Sequence, residues 1–259
     1  MWTNGTNYEL YVGRWSRLVA KKFVAWLNLQ SDLDWLDVGC GTGVLTQIIL
    51  NTTSPKSVLG IDSSEKYIEF ARKQVRDPRV SFHVGNARTL PVETASYDVV
   101  VCGLVLNFIS QPDQTLREMV RAVRIGGTVA AYVWDYADYM QLIRYFWDAA
   151  IELDKTVQAL DEGRLFPLCQ PENLRQLFQT CTQLKDVEVR SIDVPTVFSD
   201  FEDYWSPLLG GQGPAPSYIM SLSEERRAVL KEYLRQRLPT DQYGSIRLVA
   251  RAWAVRGFN

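Results

Sequence analysis

One stretch narrows what this chain can fold into more than any other. In Asp34-Trp35-Leu36-Asp37-Val38-Gly39-Cys40-Gly41-Thr42-Gly43-Val44-Leu45, an apolar run passes into three alternating glycines and then into a helical pattern. Glycine tolerates positive φ and has no Cβ, so such a turn lets the backbone approach a ligand closely. The dinucleotide fingerprint G-x-G-x-x-G would need glycine at position 44, where this chain has Val44. The spacing is G-x-G-x-G instead. Asp62 ends the next β-branched run nineteen residues beyond Gly43, where an acid is placed to accept hydrogen bonds from the two hydroxyls of a ribose. A glycine turn alone is often only a tight strand-to-helix connection; the turn and the acid together point to a ligand site.

From about Asp34 to Asp135, short β-branched runs alternate with helical periodicity, the pattern of βαβ units and a parallel sheet. The strands read as Asp34–Val38, Ser57–Ile61, Arg79–Val84, Tyr97–Cys102 and Thr128–Trp134. Tyr67, Ile68, Ala71 and Val75 share one helical stripe, with Ser63 or Ser64 as its cap; Leu116, Met119, Val120 and Val123 share another, which Pro112 opens and Gly126-Gly127 closes. Ahead of this block, Trp15, Leu18, Val19, Phe23, Trp26 and Leu27 make an amphipathic stripe over 14–29. Behind it, 138–180 reads as helical, and Asp186–Ile192 and Ser245–Val255 read as strands that pair as an antiparallel edge. The insertion between them, about 198–240, carries Phe198, Phe201, Tyr204, Trp205, the loop Gly210-Gly211-Gln212-Gly213-Pro214, and a helix with Val229, Leu230, Tyr233 and Leu234 on one face.

The segment Leu36 to Gly43 resembles the first motif of class I S-adenosylmethionine (SAM) dependent methyltransferases of the small-molecule, type 11-like kind. The resemblance continues in order through Gly60-Ile61-Asp62, Gly85-Asn86-Ala87, Tyr97-Asp98-Val99-Val100 and Arg124-Ile125-Gly126-Gly127-Thr128. It implies a Rossmann-like, doubly wound α/β fold with a mainly parallel seven-stranded sheet and one antiparallel strand. On this reading 1–259 is a single domain, with a SAM-binding core at 34–135, an N-terminal cap at 1–30 and a helical lid at 198–240. The resemblance also implies that Asp37, Gly39, Cys40, Gly41 and Gly43 hold the methionine portion of SAM, and that Asp62, followed by Ser63, takes the ribose. Asn86 and Ala87 fall at the adenine positions, where most relatives have aspartate in place of Asn86. Cys102, Gly103 and Leu104 would face the methionine amino group and the methyl, with Asn107 beyond them toward the acceptor. Gly13-Arg14-Trp15-Ser16-Arg17 and the closing Gly244-Ser245-Ile246-Arg247 and Ala252-Trp253-Ala254-Val255 resemble the same branch. There Arg14 would pair with the methionine carboxylate; the alternative is a solvated helix position.

Methyl transfer from a sulfonium is an in-line displacement, in which positioning supplies most of the catalysis and a base is needed only for a protonated acceptor. The candidate base is Asp135, after Trp134 at the end of the fifth strand and beside Tyr136; its structural alternative is a helix cap. His83, the single histidine, reads as a packed strand residue on the adenine side. Tyr204 and Trp205, with Phe201 and the glycine loop after them, suit a lid over the acceptor, the alternative being ordinary core. The segment Cys102 to Phe108 lacks the Pro-Pro-aromatic signature of enzymes that methylate amide or adenine nitrogens.

Composition narrows the partners. With 28 basic and 30 acidic side chains, net −2, the chain has no electrostatic footprint for nucleic acid or an anionic membrane. One histidine excludes His-rich metal sites, and no metal is expected. No apolar run approaches the ~20 residues of a membrane span. Met1 to Gly5 lacks the features of a signal peptide, and Cys40, Cys102, Cys169 and Cys181 show no C-x-x-C pairing, so a cytoplasmic protein with reduced thiols is expected. The resemblance, narrowed by these exclusions, implies transfer of the SAM methyl to an oxygen or nitrogen of a small organic acceptor, with S-adenosylhomocysteine as product. The competing readings are a nicotinamide-dependent oxidoreductase and a SAM-binding regulatory protein without transfer activity. The oligomeric state is not legible.

Overall fold

A computed structural model describes residues 13–180, 182–210 and 213–259. The strands β1 (Asp34–Val38), β2 (Ser57–Asp62), β3 (Val80–Val84), β4 (Tyr97–Gly103), β5 (Val123–Trp134), β6 (Lys185–Phe198) and β7 (Ile246–Phe258) form one sheet in the order β3-β2-β1-β4-β5-β7-β6. The pairs β1–β2, β1–β4, β2–β3 and β4–β5 are parallel. β7 runs the other way: Gly126 N–H at the start of β5 donates to the carbonyl of Asn259, and Asp135 N–H just past the end of β5 donates to that of Arg251. One reversed strand in a parallel sheet is as expected, but its place is not. β7 lies inside the sheet and β6 takes the edge, and accordingly the first seven residues of β6 are mostly exposed whereas β7 alternates buried positions along its length.

The helices are α1 (Arg14–Leu27), α2 (Val44–Thr52), α3 (Glu65–Gln74), α4 (Pro112–Ala122), α5 (Gln141–Leu153), α6 (Pro171–Thr180), α7 (Phe201–Trp205), α8 (Pro214–Ser221) and α9 (Glu224–Arg237). Ser64, not Ser63, caps α3 by accepting the Tyr67 N–H. Pro112 opens α4, but Gly126-Gly127 does not close it. The helix ends at Ala122, Val123 starts β5, and both glycines lie in that strand, with Gly126 at φ 79°. In α1, Leu18 faces solvent and Ala20 and Val24 fill the buried stripe instead; in α9, Leu230 and Leu234 are buried while Val229 is exposed. The stretch 138–180 is broken by short helical turns into α5 and α6.

The chain packs as two compact units. The first comprises Arg17–Val133, Leu168–Ile192 and Ala252–Asn259; the second comprises Met1–Ser16, Trp134–Pro167 and Asp193–Arg251. In the first, Leu36, Val38, Val100, Cys102, Leu116, Met119, Val129 and Phe178 share one core, and Phe23 packs on Tyr132 at 4.5 Å between ring centres. In the second, α5, α7, α8 and α9 bury Phe146, Trp147, Tyr204, Ile219 and Leu234.

Candidate functional site

In the first unit β1 runs into the glycine turn, and Gly39, Gly41 and Gly43 take φ of 73°, 53° and 87°, values L side chains rarely adopt. At Gly39 a Cβ would stand 2.8 Å from Val105, whereas at Gly41 it would meet nothing within 4 Å. The turn is pinned from β2, where the Ile61 carbonyl accepts the N–H groups of Gly39 and Cys40 at 2.7 and 3.0 Å. Asp62 does more than its sequence position suggests. Its Oδ2 accepts the Gly41 N–H at 2.9 Å and its Oδ1 the Ser64 N–H at 2.8 Å, so one carboxylate braces both the glycine turn and the start of α3. Burial raises its pKa.

Asp37 is almost wholly buried. Its Oδ2 accepts the Thr46 hydroxyl at 2.7 Å, while its Oδ1 is out of solvent and has no partner. Burial, with Asp62 nearby, pushes its carboxyl up to about 7. Thr46 escaped the sequence reading; the signal was a polar residue in a buried stripe of α2 with Leu45, Ile49 and Leu50.

The third wall is the end of β4. A Cβ on Gly103 would lie 2.7 Å from the Tyr132 hydroxyl, and Leu104 is held at φ 58° while its N–H donates to the Tyr132 carbonyl. A bulky side chain in left-handed backbone costs free energy and marks functional sites. Asn107 places its Nδ2 out of solvent without a partner. Buried Cys40 and Cys102 are pushed up by desolvation and act as packed thiols. Ser63 and Asn86 are exposed and Ala87 half-buried; the Asn86 side-chain carbonyl, expected to meet adenine, accepts the Arg88 N–H at 2.9 Å. His83 is exposed rather than packed, because β3 is an edge strand with only Phe82 buried.

The remaining expected site residues belong to the second unit. Trp134, Asp135 and Tyr136 are buried. Asp135 accepts the Asp138 N–H with Oδ1 at 2.9 Å, leaving Oδ2 buried and unpartnered, and burial raises its pKa. Asp135 thus holds the following turn with one oxygen, as a cap would, and keeps the other unpaired. Tyr136 packs toward Phe166, 5.9 Å between ring centres. Tyr204 is fully buried and donates its hydroxyl to the Leu142 carbonyl at 2.9 Å, and Trp205 stacks on Phe201. These aromatics are interior, and Gly211 and Gln212 of the expected lid loop lie outside the described residues. Arg14 pairs with Asp203 at 3.0 Å. Among the described residues, no cluster of His, Cys, Asp or Glu is arranged to hold a metal ion, and no helix is long and apolar enough to cross a membrane.

Residues 36–131 match the family model described as a methyltransferase domain. Over that stretch, rather more than a third of the chain, the sequence is similar to methyltransferases. The chain is 25% identical over 186 residues to a malonyl-[acyl-carrier protein] O-methyltransferase of Acetivibrio thermocellus, covering 70% of this chain and 62% of that protein. To a demethylmenaquinone methyltransferase of Lactobacillus johnsonii it is 32% identical over 114 residues, 42% of this chain and 47% of the relative. The first curated relatives are matched over only 27% to 62% of their own length. The fold is shared with a phosphoethanolamine N-methyltransferase of Haemonchus contortus solved with SAM, at a TM-score of 0.60 and 16% identity over 98% of this chain and 56% of that one.

Proposed function

We propose that the protein transfers the methyl group of SAM to an oxygen or nitrogen atom of a small organic acceptor. The observation that carries this reading is the cradle of Asp37, the three positive-φ glycines and Asp62, with an unpaired buried oxygen on Asp37 and open space at Gly41. A cofactor bearing an ammonium group and a ribose supplies what the cradle lacks: a donor for Asp37 and hydroxyls for the remaining lone pairs of Asp62. When bound, SAM supplies a sulfonium-activated methyl group. Gly39, Cys40, Gly41 and Gly43 bring backbone to the methionine portion, and Ser63, Asn86 and Ala87 border the nucleoside. Cys102, Gly103 and Leu104 form the wall toward the methyl, with Asn107 beside them.

On this reading Asp135 takes the acceptor's proton through Oδ2 while Oδ1 keeps the following turn in place, and Trp134 and Tyr136 shape the acceptor's surroundings, with Tyr204 and Trp205 in the packing behind them rather than in a lid. The named acceptors of the relatives differ in chemistry, so none is carried over. The near-neutral net charge supports a small acceptor rather than a nucleic acid or a membrane surface. Calorimetry with SAM tests the cradle. Asp62→Ala removes two charge-assisted hydrogen bonds within the protein together with the ribose contact, and the expected loss in affinity is about a hundredfold or more; an unchanged affinity would sink the assignment. A fluorescence titration with NADH should give no saturable signal, which separates this reading from an oxidoreductase.

A further inference from the structure

Asp37 has one oxygen to spare because Thr46 holds the other. Threonines at the helix ends of this chain spend the hydroxyl on their own backbone: Thr52 donates to the Ile48 carbonyl, Thr53 to that of Ile49 and Thr180 to that of Gln176, each four residues back, the usual local bond of a helical threonine. Thr46, fully buried in the first turn of α2, donates instead to another element, reaching Oδ2 of Asp37 on β1 at 2.7 Å. Oδ1 of the same carboxylate is out of solvent and unpartnered. One hydroxyl thus fixes which oxygen of Asp37 is engaged and which is left over. The charges around Asp37 make that donor matter. Among the described residues, the titratable groups that bear on it are Asp62 at the end of β2, Cys40 in the turn and Cys102 on β4, and none is a cation. Both thiols are neutral, pushed up by burial and by the two carboxylates. Burial and Asp62 disfavour the ionised form of Asp37, and what favours it is the Thr46 hydroxyl, together with the Thr46 main-chain N–H.

We infer that Thr46 is a positioning residue for the cofactor: its hydroxyl keeps Asp37 as an oriented carboxylate, with Oδ1 presented to the ammonium group of the ligand. The inference rests on the methyltransferase reading for the ligand, and on the Thr46–Asp37 bond with its unpaired neighbour oxygen for the role. It extends the site to a residue that acts only through another.

S-adenosylhomocysteine is titrated calorimetrically into the full chain and into Thr46→Val, which keeps the side-chain shape and removes the hydroxyl, at about pH 7 and about pH 9. Comparing variant with parent at each pH cancels the titration of the ligand's own ammonium group. A hydrogen bond to a carboxylate moves its titration midpoint by roughly one to two pH units. Thr46→Val is therefore expected to weaken binding about tenfold at the lower pH, where Asp37 of the variant is mostly protonated, and by no more than about twofold at the higher, where it is largely ionised in both chains. Thr46→Ser restores the donor and should bind within about twofold of the parent at both. In an Asp37→Asn background, Thr46→Val should have no pH-graded effect left. Melting curves check folding, and Thr46→Ala is a second hydroxyl-free variant should valine disturb α2. In the unliganded chain, the Asp37 carboxyl carbon followed by NMR should titrate at higher pH in Thr46→Val than in the parent. Unchanged affinity in the folded variants, a loss equal at both pH values, or no rescue by serine overturns the role of Thr46. Failure of the unaltered chain to bind S-adenosylhomocysteine is a separate result, which removes the methyltransferase reading itself; the NMR titration needs no ligand, and an unmoved midpoint there overturns the control of Asp37 by Thr46.

Discussion

At the scale of single residues, the site is defined by carboxylates that are buried without being fully paired. Asp37 titrates near 7 in the folded chain against 3.8 for the free side chain, so between these values the folded state holds a proton that the unfolded state has lost. Its contribution to stability therefore falls as pH rises from about 4 to about 7 and then levels off. A cationic ligand reverses the preference, because its charge favours the ionised carboxylate. SAM affinity measured by calorimetry should accordingly rise from pH 6 to pH 8, with a proton released on binding, and Asp37→Asn should flatten that profile. A profile in the variant as steep as in the parent would remove Asp37 from the site. Asp135 allows a sharper separation. Asparagine retains a carbonyl for the Asp138 N–H, so Asp135→Asn should keep the turn and the melting temperature while lowering turnover of a protonated acceptor by about 10²- to 10⁴-fold; lost stability with unaltered turnover would identify a cap and nothing more.

At the scale of elements, what was legible in the sequence follows from how locally each signal is set. The β1–turn–α2 unit was readable because strand pattern, glycine spacing and helix period all lie within a dozen residues. The Asp62 brace on Gly41 and the Asp37–Thr46 pair were not, because each joins residues from different elements. Gly126-Gly127 misleads in the opposite direction: paired glycines after a helical stripe look like a terminator, yet the following strand absorbs them by pairing with the chain end, where Asn259 N–H donates to the Gly127 carbonyl. The exposed His83 and the interior position of β7 depend on strand order, which periodicity does not encode. The turn itself yields a graded prediction. Gly39→Ala meets Val105 as well as unfavourable φ and should cost about 2–3 kcal/mol with loss of SAM binding, whereas Gly41→Ala faces only φ and should cost less, about 1 kcal/mol. Adding Val105→Ala to Gly39→Ala should recover part of the lost melting temperature; no recovery would mean that the contact is not the cause.

At the scale of the whole molecule, burial pushes a carboxyl far up in each compact unit, Asp37 in the first and Glu162 in the second, and their hydrogen bonding differs. In the first unit Asp37 faces the cradle with an oxygen to spare; in the second, Glu162 has none to spare. Glu162 Oε1 accepts the Ala215 N–H at the start of α8, where Gly213 gives no side-chain cap, and Oε2 accepts the indole N–H of Trp147 on α5. One side chain thus ties the insertion between β6 and β7 to α5. Burial pushes its carboxyl up to about 8, neighbouring Asp161 adding to the rise and Arg144 opposing it. The folded chain then keeps a proton from about pH 4.5 to about 8 that the unfolded chain has released, so this group lowers stability progressively across that window and no further above it. Glu162→Gln should remove that slope in denaturant-unfolding experiments run from pH 5 to pH 9. Glu162→Ala leaves the Trp147 and Ala215 donors buried and unpaired, an expected loss of about 2–5 kcal/mol, with SAM affinity unchanged in the folded fraction because Glu162 is no part of the cradle. Asp37→Asn should do the converse, altering affinity and its pH profile more than stability. If Glu162→Ala instead weakened SAM while leaving the unfolding midpoint in place, the division of labour between the two units would be wrong, and the insertion would belong to the cofactor site.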